Sequence, residues 1–146
     1  MKGLKSLISK HYTKEEFAWI MQDWANSVYS LMITTAIFPL YFKTVSSNAG
    51  ISAADSTAFL GYANSIATFA VSIMAPVLGA LADYKGYRNP MFTWSTLLGV
   101  FSVIGMMFAE TDQWILLLAL YTLSAIGYSA SNIFYDSSIM DVTTYD

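Results

Sequence analysis

Two long stretches of this chain, Thr57–Ala82 and Met91–Ala109, carry no charged side chain at all, and only Asp83-Tyr84-Lys85-Gly86-Tyr87-Arg88-Asn89-Pro90 stands between them. A helix needs about 20 apolar residues to cross the hydrocarbon of a bilayer. Each run is therefore a candidate span, and the charged, glycine-punctuated segment between them is a tight loop at a membrane face. The composition agrees. Charged residues make up 12% of the chain and hydrophobic ones 55%, where a soluble domain has about 25% charged residues. The expected fold is an all-α integral membrane protein of four transmembrane helices, at about 14–42, 56–82, 90–109 and 114–139. Residues 1–13 form a lysine-rich lead, and 14–146 form the membrane domain.

The same composition excludes several functions. A formal net charge of −3 without a basic patch gives phosphates nothing to bind, so no nucleic-acid partner is expected. There is no cysteine, which removes disulfides, thiolate catalysis and cysteine metal sites. The one histidine, His11, lies in the lead with no partner at ligand spacing. No Ser/His/Asp set, metal cluster or phosphate loop is present, so neither an enzyme nor a cofactor is expected. No signal peptide is expected, because the first apolar run follows a polar lead and is too long.

Thr13-Lys14-Glu15-Glu16 reads as a capping box that starts the first helix at Lys14. On that helix Asp23, Asn26/Ser27, Ser30 and Thr34 recur at helical spacing, and a polar stripe in a spanning helix must face protein or water. Pro39 lacks an N–H and is expected to free the carbonyl of Thr35. Residues 44–55 read as a small polar loop, with Ser52 or Asp55 capping the second helix. Gly61, Ser65, Thr68, Ser72, Ala75 and Gly79 make a small-residue stripe on that helix, expected to be its close-packing face. Asn64 reads more as an interhelical hydrogen bond than as a functional amide. The third helix has neither charge nor amide after Pro90 and is expected at the periphery, facing lipid. The short Glu110-Thr111-Asp112-Gln113 turn makes the third and fourth helices an antiparallel pair. On the fourth helix Ser124, Tyr128, Ser131/Asn132 and Tyr135/Asp136 share a face.

In the central loop, Gly79 allows close helix approach, Asp83 marks the end of the second helix, Gly86 is expected to supply a positive φ, and Lys85 and Arg88 hold the loop on the cytoplasmic side. Gly79, Asp83, Gly86 and Arg88 match the signature loop of the major facilitator superfamily, Gly-x-x-x-Asp-Arg-x-Gly-Arg-Arg. Tyr84 and Tyr87 replace two of its basic residues. With Asp23-Trp24-Ala25-Asn26-Ser27, Phe38-Pro39-Leu40-Tyr41-Phe42 and Leu60-Gly61-Tyr62-Ala63-Asn64-Ser65-Ile66, the chain resembles one branch of that superfamily. That branch holds the bacterial relatives of the autophagy-related vacuolar amino-acid effluxers. The resemblance implies a secondary transporter working by alternating access, with the first and fourth helices lining its cavity and Asp83 acting in gating. It implies small solutes, amino acids or other small metabolites, as substrates. The Arg that the superfamily usually carries in its fourth helix is missing around Gly127, which speaks against proton-driven drug antiport.

Such a transporter has two six-helix halves, so the chain is expected to be an N-terminal part whose partners are the lipid bilayer, a small-molecule solute and the remaining C-terminal helices of the same transporter. The competing reading is a complete four-helix membrane protein acting as an oligomeric exporter or scaffold. Lys2, Lys5, Lys10, Lys14, Lys85 and Arg88 against Lys43 alone predict that both ends and the central loop are cytoplasmic, and the resemblance implies the bacterial plasma (inner) membrane. The residues expected to line the solute path are Asn26, Tyr128 and Asn132, with Asp23 and Asp136 at its cytoplasmic mouth. Tyr128, Asn132 and Asp136 stand at i, i+4 and i+8, and Asp23 and Asn26 share a face.

Overall fold

The computed structural model describes residues 14–110 and 112–138, and among these every regular element is helical. The first membrane helix is composite: α1 (Lys14–Tyr29), a π-helical segment (Ser30–Ile37) and α2 (Phe38–Asn48). It is followed by α3 (Ala53–Ala82), α4 (Lys85–Met106) and α5 (Trp114–Ser137). Three of these rods, Glu16–Asn48, Ala53–Ala82 and Trp114–Ser137, are long and apolar enough to cross a membrane. α4 completes the set of four; its polar first turn, Lys85-Gly86-Tyr87-Arg88-Asn89, lowers the apolarity of its 22 residues. The chain is thus an all-α membrane protein, with helices as its regular elements among the described residues.

Several boundaries differ from those the sequence predicts. The first helix does not stop at Phe42 but runs on to Asn48, because Val45 and Ser46 bury themselves against the start of α3 and the Ser46 hydroxyl donates to Ser56 Oγ at 2.7 Å. It ends at Gly50, whose φ of 78° is the one positive value among the described residues; a residue without a Cβ takes that conformation at no steric cost. The loop of 44–55 is thereby cut to four residues, 49–52. Ser52 then caps α3, its Oγ accepting from the Asp55 N–H at 3.1 Å while its hydroxyl donates to the Asp55 carboxylate at 2.7 Å. α4 begins at Lys85, so Gly86 is helical and supplies no positive φ. The reversal between α3 and α4 is made instead by Asp83, which caps α3, and by extended Tyr84. Pro90 falls inside α4, close enough to its start that few hydrogen bonds are at stake. The capping box falls on Thr13, outside the described residues, as do the residues after Ser138.

α5 is the element the others pack around. Its buried residues, Leu117, Tyr121, Ser124, Gly127, Ala130, Ser131, Phe134 and Tyr135, recur every three or four positions, a stripe wide enough for more than one neighbour. α4 runs antiparallel to it, since Gly105 lies at Leu120, Gly99 at Ser124 and Gly127, and Arg88 reaches the Ser137 carbonyl at 3.5 Å. The face of α4 away from α5 is open, with Trp94 and Phe101 exposed. α3 runs parallel to α5: Phe59 stacks on Trp114 at 5.0 Å, and the Tyr121 hydroxyl donates to Asn64 Oδ1 at 2.9 Å. The Asn64 amide is thus an interhelical partner. A cluster of Phe38, Phe42, Val45, Ala63, Leu117 and Tyr121 closes the end of the bundle opposite the Asp83 turn.

The packing face of α3 is not the stripe expected from its small residues. Ser56, Ala63, Ala67 and Ala82 are buried, whereas Gly61, Ser65, Thr68 and Ser72 are exposed. The three hydroxyls bond back to the carbonyls four residues earlier, at 2.8–2.9 Å, so they need no partner across a helix interface. No atom of a neighbouring element lies within 4 Å of a Cβ placed on Gly79, so the close approach expected there does not occur within this chain.

Candidate functional site

The first helix meets α5 through side chains rather than by close backbone approach. The seam is a ladder of rings: Trp19 on Tyr135 with centroids 4.8 Å apart, Tyr29 on Tyr128 at 4.5 Å, and Phe38 on Tyr121 at 3.9 Å. As the first member rises along the chain the second falls, so the two helices are antiparallel. Stacked aromatic pairs at such spacings contribute about 0.5–1.5 kcal/mol each beyond their burial. Hydrogen bonds fill the intervals. Asn26 Nδ2 donates to Asn132 Oδ1 at 2.6 Å, and Asn26 Oδ1 accepts from Gln22 Nε2 at 3.3 Å. Tyr128 donates to the Asn26 carbonyl at 3.4 Å, Tyr135 donates to the Trp19 carbonyl at 3.0 Å, and the Tyr29 and Ser124 hydroxyls bond to each other.

Beside this ladder the two helices splay into an open groove of about 470 Å³. Its walls include Asp23, Asn26, Ser27, Ser30 and Thr35 from the first helix and Tyr128, Asn132, Tyr135 and Asp136 from α5. The five residues singled out by periodicity, Asp23, Asn26, Tyr128, Asn132 and Asp136, all line it. Asp23 and Asp136 are exposed, and both lie near enough to Tyr135 to act on it electrostatically. Among the described residues, the lining holds no Lys, Arg or His. It offers a solute carboxylate and hydroxyl acceptors together with neutral amide and hydroxyl donors, against aromatic faces.

The groove also corrects the stripe on the first helix. Thr35 lines it and Thr34 does not. Thr34 is half-buried and lies instead beside the Tyr121 hydroxyl. The cause is the π-helical segment: it makes i→i−5 bonds, such as Phe38 N–H to the Ile33 carbonyl, and so turns the following residues back by about one position relative to an α-helix. Nothing in hydropathy periodicity reports such a change, although Pro39 marks where it ends. The ring ladder had a visible signal, since Tyr121, Tyr128 and Tyr135 stand seven residues apart.

The loop residues stand apart from the groove. Gly79 is in the last turn of α3, Asp83 is an exposed cap, and Gly86 is exposed in the first turn of α4. Arg88 is half-buried and directed at the last turn of α5, whose carbonyl ends carry the negative end of a helix dipole. A second cavity of about 320 Å³, lined by Trp19, Gln22, Arg88, Phe92 and Tyr135 among others, lies at that end. Tyr135 lines both cavities. No group of three or more metal-ligating side chains is present among the described residues.

Comparison with known proteins places this arrangement. The family described as vacuole effluxer Atg22 like matches residues 12–141. An uncharacterized MFS-type transporter of Bacillus subtilis (strain 168), YxiO, is 46% identical over 134 residues, which cover 92% of this chain and 31% of that protein. The chain thus spans about a third of the length of this relative. No solved structure matches.

Proposed function

Because the chain belongs to the vacuole effluxer Atg22-like family of transporters, we propose that it forms part of a secondary transporter moving small solutes by alternating access. Amino acids are the solute class we put first, and the groove between the first helix and α5 is one wall of the path. The observation that carries this reading is the convergence of Asp23, Asn26, Tyr128, Asn132 and Asp136 on one groove. A polar surface of this extent in a membrane helix pair needs water, protein or a solute opposite it. Asn26, Tyr128 and Asn132 contact the solute, and the two acids form the mouth.

The test is uptake of a panel of amino acids into liposomes by the full-length transporter, with Asn132→Ala assayed for solute affinity and thermal stability separately. The expected result is affinity weakened by about tenfold, the equivalent of one hydrogen bond of about 1.4 kcal/mol, at a stability lowered by no more than the amide pair itself contributes. Normal affinity per folded molecule makes Asn132 a packing residue and sinks this path.

The orientation follows from the lysine and arginine asymmetry: the Asp83 turn and both ends of the chain face the cytoplasm, and residues 49–52 face the other side. A Ser47→Cys substitution, in a chain that has no cysteine of its own, is expected to react with an impermeant maleimide from outside only. Reaction from the cytoplasm alone inverts the topology.

A further inference from the structure

We propose that the π-helical segment Ser30–Ile37 is a register switch in the groove wall: its return to an α-helical register takes Thr35 out of the groove and brings Thr34 in. The proposal goes beyond transport as such, and its test does not require a known solute.

Three observations carry it. First, the segment lies along the middle of the first helix, where Ser30 and Thr35 line the groove while Thr34 lies at Tyr121. Two adjacent threonines thus sit on different faces of one wall, and a change of one residue in register puts Thr34 in the place of Thr35. Second, two bonds mark the π register: Phe38 N–H to the Ile33 carbonyl, and the Thr35 hydroxyl to the Ser30 carbonyl at 3.0 Å, five residues back. In an α register the carbonyl of Leu31, four residues back, is the one within reach of the Thr35 hydroxyl. The Thr35 side chain therefore belongs to the π state. Third, Pro39 follows at once. Its ring presses on the carbonyl four residues earlier, that of Thr35, and it brings no N–H to that carbonyl. A wider turn there relieves the contact, so the proline favours the π register without locking it.

The upstream end of the switch is held by the Tyr29–Tyr128 stack and the Asn26–Asn132 bond, so a return to the α register turns the residues after Ser30. Of these, Leu31, Met32, Thr35, Ala36 and Ile37 are exposed, and Phe38 shifts along its stack with Tyr121 and Phe42. Short π segments inside α-helices are frequent at functional sites because they give the chain two registers. Here the two registers present different side chains to the same groove.

The experiment is cysteine accessibility in the full chain in membranes, using Thr34→Cys and Thr35→Cys with a small methanethiosulfonate reagent. The naturally cysteine-free background makes each label unambiguous. In the otherwise unchanged chain, position 35 is expected to react at least about tenfold faster than position 34. Adding Pro39→Ala, or separately deleting Ala36 to remove the extra residue from the wide turns, is expected to bring the α register forward, so that the rate at 34 rises and that at 35 falls. Ser47→Cys, on the exposed far end of α2, reports whether each variant remains folded and inserted. Equal rates at 34 and 35 in the unaltered register overturn the placement. Rates unmoved by both the proline substitution and the deletion, with Ser47→Cys reacting normally, overturn the switch. Because the deletion acts on register directly, loss of folding in one variant leaves the other to decide.

Discussion

α5 meets two of its three long neighbours in opposite ways. Against α4 the contact is backbone to backbone: a Cβ on Gly127 would lie 2.7 Å from the Gly99 nitrogen and 2.9 Å from the Ser95 carbonyl oxygen. Against the first helix the contact is made by long side chains, rings stacked at 3.9–4.8 Å and an amide pair at 2.6 Å. In lipid there is little hydrophobic drive between helices, so close backbone packing through small residues is the main source of association. The α4/α5 seam uses it where Gly99 and Ser95 meet Gly127. The first helix stands off by the length of its side chains, and the space that results is the groove. One seam is closed by backbone contact, whereas the other is held at the length of its side chains.

The largest expected effect breaks the closed seam. Gly127→Ala places a methyl against backbone atoms of α4 that have no rotamer to adopt, so the helices must separate. Overpacking costs about 1–3 kcal/mol or more, against a gain of up to about 1 kcal/mol in helix propensity, leaving a net loss of about 2 kcal/mol. Thermal unfolding in lipid or detergent measures it. Gly105→Ala is the internal control. Its Cβ meets only the flexible Leu120 side chain, at 3.3 Å, and its stability is expected to stay within about 0.5 kcal/mol of the unsubstituted chain. Equal losses at the two positions mean that the seam is not closed at Gly127.

The open seam is expected to give a smaller number. Asn26→Ala, Asn132→Ala and the double variant form a cycle across the one amide bond, and coupling energies of this kind in membrane helices average about 0.6 kcal/mol, with a maximum near about 1.7 kcal/mol. The expected coupling lies in that range, read from unfolding in lipid. A value near zero detaches the amide pair from the seam and leaves the rings alone to hold it.

Much of this contrast was legible in the sequence, for reasons that differ by residue. Uncharged runs and the Lys/Arg pattern gave the helices and their number, because hydrocarbon penalises every charge alike. The groove residues emerged because Tyr128, Asn132 and Asp136 keep α-helical spacing in a helix that is regular throughout. The first helix obeyed the same rule only as far as Ser30. Beyond it the π register put Thr35 where α spacing puts Thr34, and periodicity assumes the pitch it is used to find. Glycines were the other blind spot. Gly79 was expected to be the close contact because of its place in a signature, yet the close contact is Gly127. A glycine's role is set by what lies opposite, which is a tertiary fact.

Gly79 therefore offers the smallest effect and the sharpest reading of what the loop signature is for. Within this chain a Cβ at Gly79 meets nothing within 4 Å, as does one at Gly61. Both glycines are in the interior or last turn of α3 with ordinary helical φ, so alanine removes backbone entropy from the unfolded chain without a clash. Gly79→Ala is expected to stabilise the chain by a few tenths to about 1 kcal/mol, with Gly61→Ala alike. The same pair in a transporter of the relative's full length is the discriminating measurement. If Gly61→Ala remains favourable there while Gly79→Ala becomes unfavourable, the signature glycine packs against helices outside this chain. That would make it a counterpart of Gly127 across a second closed seam. If Gly79→Ala is favourable in both settings, the glycine in the signature serves no close approach at all, and the reversal at Asp83 and Tyr84 is what that part of the loop specifies.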